Sequence, residues 1–166
     1  MELLEIYNDE GKPTGKTVVR GDKNLHLDDN EHIAVGVIFI ENSNHEYLIQ
    51  KTSKEKGGYY SSTGGHITKG ETPMSSILRE IKEELGIEVK EDEVRSLGFI
   101  NNGIPLMFLF YMKKDINIED IIVQKEEVSY VEYKTKEEIE NLINNNLLLK
   151  SHGILFHELL KNNLST

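Results

Sequence analysis

An α/β/α sandwich, with helices packed on the faces of a mixed sheet, is the fold that this sequence predicts. Residues 33–40 are almost continuously apolar, which marks a central strand covered on both sides. Residues 74–85 instead repeat their apolar positions at helical spacing, and two further helical segments close the chain. The 166 residues contain no internal repeat and no linker long enough to separate domains. One α/β domain spanning 1–166 is therefore expected, large enough to bury a proper core.

The elements follow in order. Residues 2–7 and 17–20 flank the turn-rich NDEGKPTG and read as a hairpin, part of an N-terminal extension covering 1–30. The strand 33–40 comes next, and 46–51 is expected to pair with it across 42–45. A helix then begins where Thr72 can cap and Pro73 fits the first helical position, and it stops at Gly86, suited to a left-handed residue. Within it Ile77, Ile81 and Leu85 recur every four residues, with Met74 and Leu78 widening the stripe, so one face is core. Strands at 94–100 and 106–112 are joined through a turn at Asn101-Asn102-Gly103. A last strand covers 128–133. Helices at 136–143 and 151–161 follow, separated by a break at 144–146.

Composition narrows the chemistry. There is no Cys, which excludes disulfides, thiolate metal sites and cysteine nucleophiles. The formal net charge of −10 argues against a nucleic-acid polymer as partner, because such binding needs a basic patch. No apolar run approaches a membrane span, and MELLEIYNDE is acidic where a secretory signal is basic. A cytoplasmic location is the expectation.

The most informative segment is the back of the first helix. Arg79, Glu80, Glu83 and Glu84 crowd three carboxylates and a guanidinium together, just behind the pair Gly64-Gly65. Like charges four apart destabilise a helix by a few tenths of a kcal/mol, about 0.2–0.5. The cluster makes sense if a multivalent cation sits on it. Oxygen-only ligands point to a hard ion, Mg²⁺ or Mn²⁺. Glu80 and Glu84 stack one turn apart with Glu83 beside them, and Glu83 and Glu84 are expected to face solvent. Arg79 lies one turn before Glu83 and can hold a carboxylate in place. Gly64 and Gly65 let the backbone approach a phosphate or lend a carbonyl to a metal. A metal-dependent enzyme acting on a phosphate compound is the reading of this segment; a solvated Glu-rich helix face is its structural alternative.

The spacing Gly65, five residues, Glu71, seven residues, Arg79-Glu80-Ile81, one residue, Glu83-Glu84, one residue, Gly86-Ile87 resembles the Nudix box at every defined position from 65 to 87. The opening ELLEIYNDEGKPTGK and the phrase TGGHI are similar to the isopentenyl-diphosphate-isomerase-like branch of that superfamily. The resemblance implies a Nudix-type sandwich and hydrolysis of a phosphoanhydride in a nucleoside diphosphate linked to another moiety, or in a related small-molecule diphosphate. It implies Glu83 and Glu84 as principal metal ligands, Glu80 as a further ligand or water holder, and the Gly65 carbonyl as an added contact. Glu71 and Arg79 are implied as residues that fix loop and helix. An extra metal ligand or water-activating glutamate is implied in the loop before 128–133, with Glu127 first and Glu126 second.

Other residues carry weaker signals. Lys51, Lys54 and Lys56 precede the glycines and can meet phosphate, or belong to a solvated loop; relatives often carry arginine where Thr52 stands. His66 follows the glycine pair and can donate a hydrogen bond to phosphate. Tyr60 can stack on a base or pack on the core, and His152 and His157 read as surface or packing residues. Two rival functions remain at this stage. One is a catalytically silent ligand-binding module on the same scaffold. The other is isopentenyl-diphosphate isomerase, whose type with this fold uses a cysteine that this chain lacks.

Overall fold

In the computed structural model the described residues are 1–101 and 105–162. The turn read at Asn101-Asn102-Gly103 thus lies, beyond Asn101, outside them. Among these residues the strands are β1 (Leu3–Tyr7), β2 (Pro13–Val19), β3 (His32–Glu41), β4 (Glu46–Thr52), β5 (Tyr60–Ser61), β6 (Thr63–His66), β7 (Arg95–Asn101), β8 (Leu106–Lys113) and β9 (Val128–Thr135). The helices are α1 (Pro73–Leu85), α2 (Lys136–Asn144) and α3 (Lys150–Lys161).

The expected α/β/α sandwich with a mixed sheet is what forms. β3 runs parallel to β8, from Ala34 opposite Leu106 to Glu41 opposite Lys113, and antiparallel to β6 and β1. The expected hairpin between β3 and β4 is reduced to one pair, Glu41 opposite Tyr47. A strand has two hydrogen-bonding edges, and each is already taken. β8 lies on one edge of β3, and β6 and β1 share the other; β4 is filled by β9 and β5. The chain crosses from one half of the sheet to the other at Ser62, between β5 and β6. That crossing brings the two glycines under α1.

β5 and β6 are absent from the sequence reading, which treats the glycine pair as loop. Gly is depleted in strands because it has no side chain to pack, so no alternation marks 63–66. Here the missing Cβ is what permits the strand: a Cβ at Gly64 would lie 2.2 Å from the Gly36 carbonyl oxygen across the pairing. β2 also begins earlier than expected, at Pro13. The Asn8 side chain accepts from the Glu10 and Lys12 N–H groups, each at 3.0 Å, and so tightens the turn.

α1 starts and stops as expected. The Thr72 hydroxyl accepts from the Ser75 N–H at 3.0 Å and the Ser75 hydroxyl answers from the Thr72 N–H at 2.9 Å; Pro73 stands at the first position. Gly86 ends the helix at φ 68°, a left-handed conformation that costs other residues energy. Ile77, Ile81 and Leu85 are fully buried and pack on Ile38, Ile40, Leu48 and Phe110. Burial of such side chains stabilises by about 1.5–3 kcal/mol each. α2 and α3 cover the opposite face, where Ile139, Leu155 and Phe156 meet Val37, Phe39 and Ile49. No helix among the described residues is long and apolar enough to cross a membrane.

Candidate active site

The acidic face of α1, β6 and the segment before β9 enclose a groove of about 530 Å³. Gly64, Gly65 and His66 form one wall, and Arg79, Glu80, Glu83 and Glu84 form the floor. Glu127 and Lys56 stand at one rim; Glu2 and Arg20, from the N-terminal hairpin, stand at another.

Arg79 is the hub. Its Nε and Nη2 donate to the two oxygens of Glu71 at 2.6 and 3.0 Å, the bidentate fork that only a planar guanidinium provides. Nη2 also donates to the His66 carbonyl at 3.2 Å, and Nη1 to Glu80 at 2.8 Å and Glu83 at 3.1 Å. One side chain thereby ties the end of β6 and the turn before α1 to the helix. Burial pushes the Glu71 pKa up, but the Arg79 fork and two donors from Thr68 outweigh it and hold the carboxyl below its ordinary value. The hydrogen bond to Glu71 in turn raises the Arg79 pKa, so this pair is firmly ionised.

Glu80 and Glu84 behave in the opposite way. Glu80 is buried, with its residue only 8% exposed, and Glu84 is half-buried beneath β6. Burial is the main reason that both carboxyls titrate above their ordinary value, and Glu80 against Glu84 raises Glu84 further. The two carboxyls also share a hydrogen bond. Glu84 is also held by the Gln50 amide, whose Nε2 donates at 2.8 Å, and by the Gly64 N–H at 3.3 Å. The expectation that Glu84 faces solvent is thus corrected: β4 and β6 close over it. Glu83 does face solvent, with half of its side chain exposed.

The chemistry of these residues suits a divalent cation. A Cβ at Gly65 would fall 2.5 Å from a Glu80 carboxylate oxygen, so glycine is required for β6 to lie against the carboxyl pair. The donor set is all oxygen, as a hard ion needs. Among the described residues no three carboxylates or imidazoles converge tightly enough to hold an ion as they stand. Glu83 is turned toward Arg79 instead. That exposed ion pair is worth at most about 1 kcal/mol, so its rotation toward Glu80 and Glu84 costs little.

The remaining sequence-predicted residues divide. Gly64, Gly65, His66, Arg79, Glu80, Glu83, Glu84 and Glu127 come together in the groove, with Glu71 behind Arg79. Burial, then the nearby Arg20 charge, lower the His66 pKa, so the imidazole is neutral at neutral pH. Glu127 lines the groove with its carboxylate 3.5 Å from Lys56 Nζ, whereas Glu126 is absent from the lining. Lys51 and Lys54 are not brought to the groove. Lys51 lies on the other face of the sheet with Nζ 4.2 Å from the centre of the Tyr60 ring, and the Tyr60 hydroxyl engages Tyr130 at 3.1 Å. Alternation along β4 sends Gln50 toward α1 and Lys51 away from it. Lys56, inside a short 3-10 turn, is the lysine that reaches the rim.

Sequence reasoning missed Gln50 and Arg20. Gln50 sits one strand period from the core residue Leu48, so its inward face was readable. Arg20 gave no signal, because the hairpin's placement against the box depends on tertiary packing. His152, read as a surface or packing residue, is a packing one. Its Nδ1 accepts from the Ser62 N–H at 2.9 Å, and burial pushes its pKa down to about 4.

Comparison with known proteins gives the class to which this fold and groove belong. The NUDIX domain model matches residues 30–151. An uncharacterized Nudix hydrolase of Listeria monocytogenes is 34% identical over 150 residues, covering 86% of this chain and 85% of that protein. Nudix hydrolase 3 of Arabidopsis thaliana is 33% identical over 159 residues, 86% of this chain but only 20% of that longer protein. The DR0079 protein of Deinococcus radiodurans superposes with a TM-score of 0.71 at 23% identity, covering 87% of this chain and 90% of its own. The chain belongs to the Nudix family and is a hydrolase. Its N-terminal hairpin, with Glu2 and Arg20, lies before the segment that the family model matches.

Proposed function

We propose that this chain hydrolyses a phosphoanhydride bond in a nucleoside diphosphate linked to another moiety, or in a related small diphosphate, using Mg²⁺ or Mn²⁺. The observation that carries the reading is the buried Glu80–Glu84 carboxyl pair pressed against Gly65. Two carboxyls buried against each other are costly in their charged form unless something neutralises them. Glu80, Glu83, Glu84 and the Gly65 carbonyl would hold the ion. When bound, it would neutralise phosphate oxygens and make water a better nucleophile.

The chain's own groups supply the rest. Arg79 orients Glu80 and Glu83 and fixes the Gly65-His66 backbone. Glu127 stands at the rim as the acceptor for a proton from the attacking water, and its approach is set by Lys56. Arg20, Lys56 and neutral His66 offer donors to an anionic substrate that the acidic floor would otherwise repel. Neither rival function gains support. Every box carboxylate is present, against a silent binding module, and the isomerase-like opening comes without a cysteine.

The test is a panel of nucleotide sugars, dinucleoside polyphosphates, oxidised nucleotides and non-nucleoside diphosphates, with Mg²⁺ and with excess chelator. Release of phosphate or monophosphate from at least one class, abolished by chelator, is the expected result. Turnover that persists in chelator would overturn the metal-dependent reading.

A further inference from the structure

Glu84 is held by more than its own helix. Gln50, on β4, is only 6% exposed, and its amide is used at both ends. Nε2 donates to Glu84 Oε1 at 2.8 Å, and Oε1 accepts from the hydroxyl of Thr63 at 3.2 Å. Thr63, on β6, is 3% exposed. The neighbours dictate the amide's orientation, since a flipped amide would set its oxygen against a carboxyl oxygen. The Gly64 N–H supplies a second donor to the same Glu84 oxygen at 3.3 Å. Two donors occupy the lone pairs of Oε1, which leaves Oε2 as the oxygen with coordinating capacity. Three elements, β4, β6 and α1, meet in this one chain of hydrogen bonds.

We propose that Gln50 is a positioning residue that presents Glu84 to a divalent cation through a single oxygen, with Thr63 fixing the amide that does so. This rests on the metal-site reading above and adds a residue outside the box to it. Fixing Glu84 by a neutral amide has a chemical consequence. A cationic anchor, such as the guanidinium that holds Glu71, would lower the carboxylate's basicity and compete with the ion. An amide orients without neutralising. Glu71 and Glu84 therefore differ in what holds them, a guanidinium in the first case and a neutral amide with a backbone N–H in the second.

Binding of Mn²⁺ to the full chain, followed by electron paramagnetic resonance, tests this without reference to turnover. Gln50→Leu keeps the volume and removes both hydrogen bonds. It should weaken Mn²⁺ binding by about 10–100-fold, the usual effect of losing a partner of a metal ligand. Thr63→Val removes only the hydroxyl behind the amide and should weaken binding by a smaller factor. In turnover assays, excess Mn²⁺ should restore the Gln50→Leu rate while KM for substrate stays unchanged, a split that general destabilisation would not give. A folded Gln50→Leu with wild-type Mn²⁺ affinity would overturn the inference. Should that variant not fold, Thr63→Val decides it, and unchanged affinity there is the contrary result. Wild-type protein that binds no Mn²⁺ would remove the metal-site reading itself, and this inference with it; wild-type binding with indifferent variants removes only the role of Gln50.

Discussion

Two carboxyl groupings flank Arg79, built from the same residue type with opposite electrostatics. Glu71 is gripped by a guanidinium fork and by Thr68, and its pKa is held below the ordinary carboxylate value. Glu80 and Glu84 are buried against each other, and their pKa values are raised. The first grouping is complete and acts as scaffold. The second is incomplete: Glu84 is met by the Gln50 amide and the Gly64 N–H, not by a cation, at a point where the backbone comes close. Partnership, not carboxylate count, separates structure from site.

The largest way to break this contrast is Glu84→Gln. Loss of a direct ligand should cost at least the roughly hundredfold in metal affinity seen at the upper end for outer partners, with turnover falling alike. Stability in chelator should hold or rise, because a buried like-charge pair is removed. Thermal unfolding with and without Mg²⁺ reads both arms. Wild-type metal response in this variant would equate Glu84 with a solvated surface residue.

Arg79→Lys comes next, and it attacks the scaffold side. The lysine keeps the charge but loses the fork to Glu71 and the bond to the His66 carbonyl. A loss of about 1.5–3 kcal/mol, typical for hydrogen bonds to charged groups, is expected in denaturant unfolding, together with reduced turnover. The sequence treats Arg79 as a holder of one carboxylate; the structure gives it Glu71, Glu80, Glu83 and a backbone carbonyl. Undiminished stability would show that the clamp does not hold β6 to α1.

How far the site was legible follows from these particulars. The box residues could be read because their roles lie on one helix and its cap, where spacing dictates facing. Thr72, Pro73 and Gly86 are local signals, and α1 obeys them. What stayed hidden depends on the sheet. The near absence of β3–β4 pairing, the strand at Thr63–His66 and the burial of Glu84 all follow from which strand edges are filled by β8 and β9. Those partners lie far along the chain. Lys51 and Lys56 illustrate the same point, since one step of alternation and one 3-10 turn decide which lysine reaches the groove.

Titration offers a smaller test with a definite sign. The raised carboxyls of Glu80 and Glu84 bind a proton more tightly folded than unfolded. Their contribution to stability is present below the ordinary value of 4.5 and is lost as pH rises through the raised values. Glu71 works the other way: its contribution is present above 4.5 and is lost as pH falls through its lowered pKa. His152 adds to the acid side, since its contribution is full above 6.5 and is lost as pH falls toward about 4. In chelator, the Glu80–Glu84 contribution should therefore fall on the alkaline side of 4.5 while that of His152 rises up to 6.5, and the stability added by Mg²⁺ should grow with pH as the pair ionises. A Mg²⁺ effect independent of pH would contradict binding at this pair.

The smallest structural effect with a kinetic signature belongs to the rim. Glu127→Ala should lower turnover by about a hundredfold if general-base catalysis is lost, with little change in stability because the side chain is exposed. Glu126→Ala should leave turnover near wild type. Equal effects at both positions would move the proton acceptor into the box.

The most direct measurement is anomalous diffraction from crystals of the full chain grown with Mn²⁺. The expected peak lies between the carboxyls of Glu80 and Glu84 and the Gly65 carbonyl, with Glu83 swung away from Arg79 to join them. A peak elsewhere, with the Glu80–Glu84 hydrogen bond and the Arg79–Glu83 contact intact, would contradict the assignment of this buried pair as the metal site.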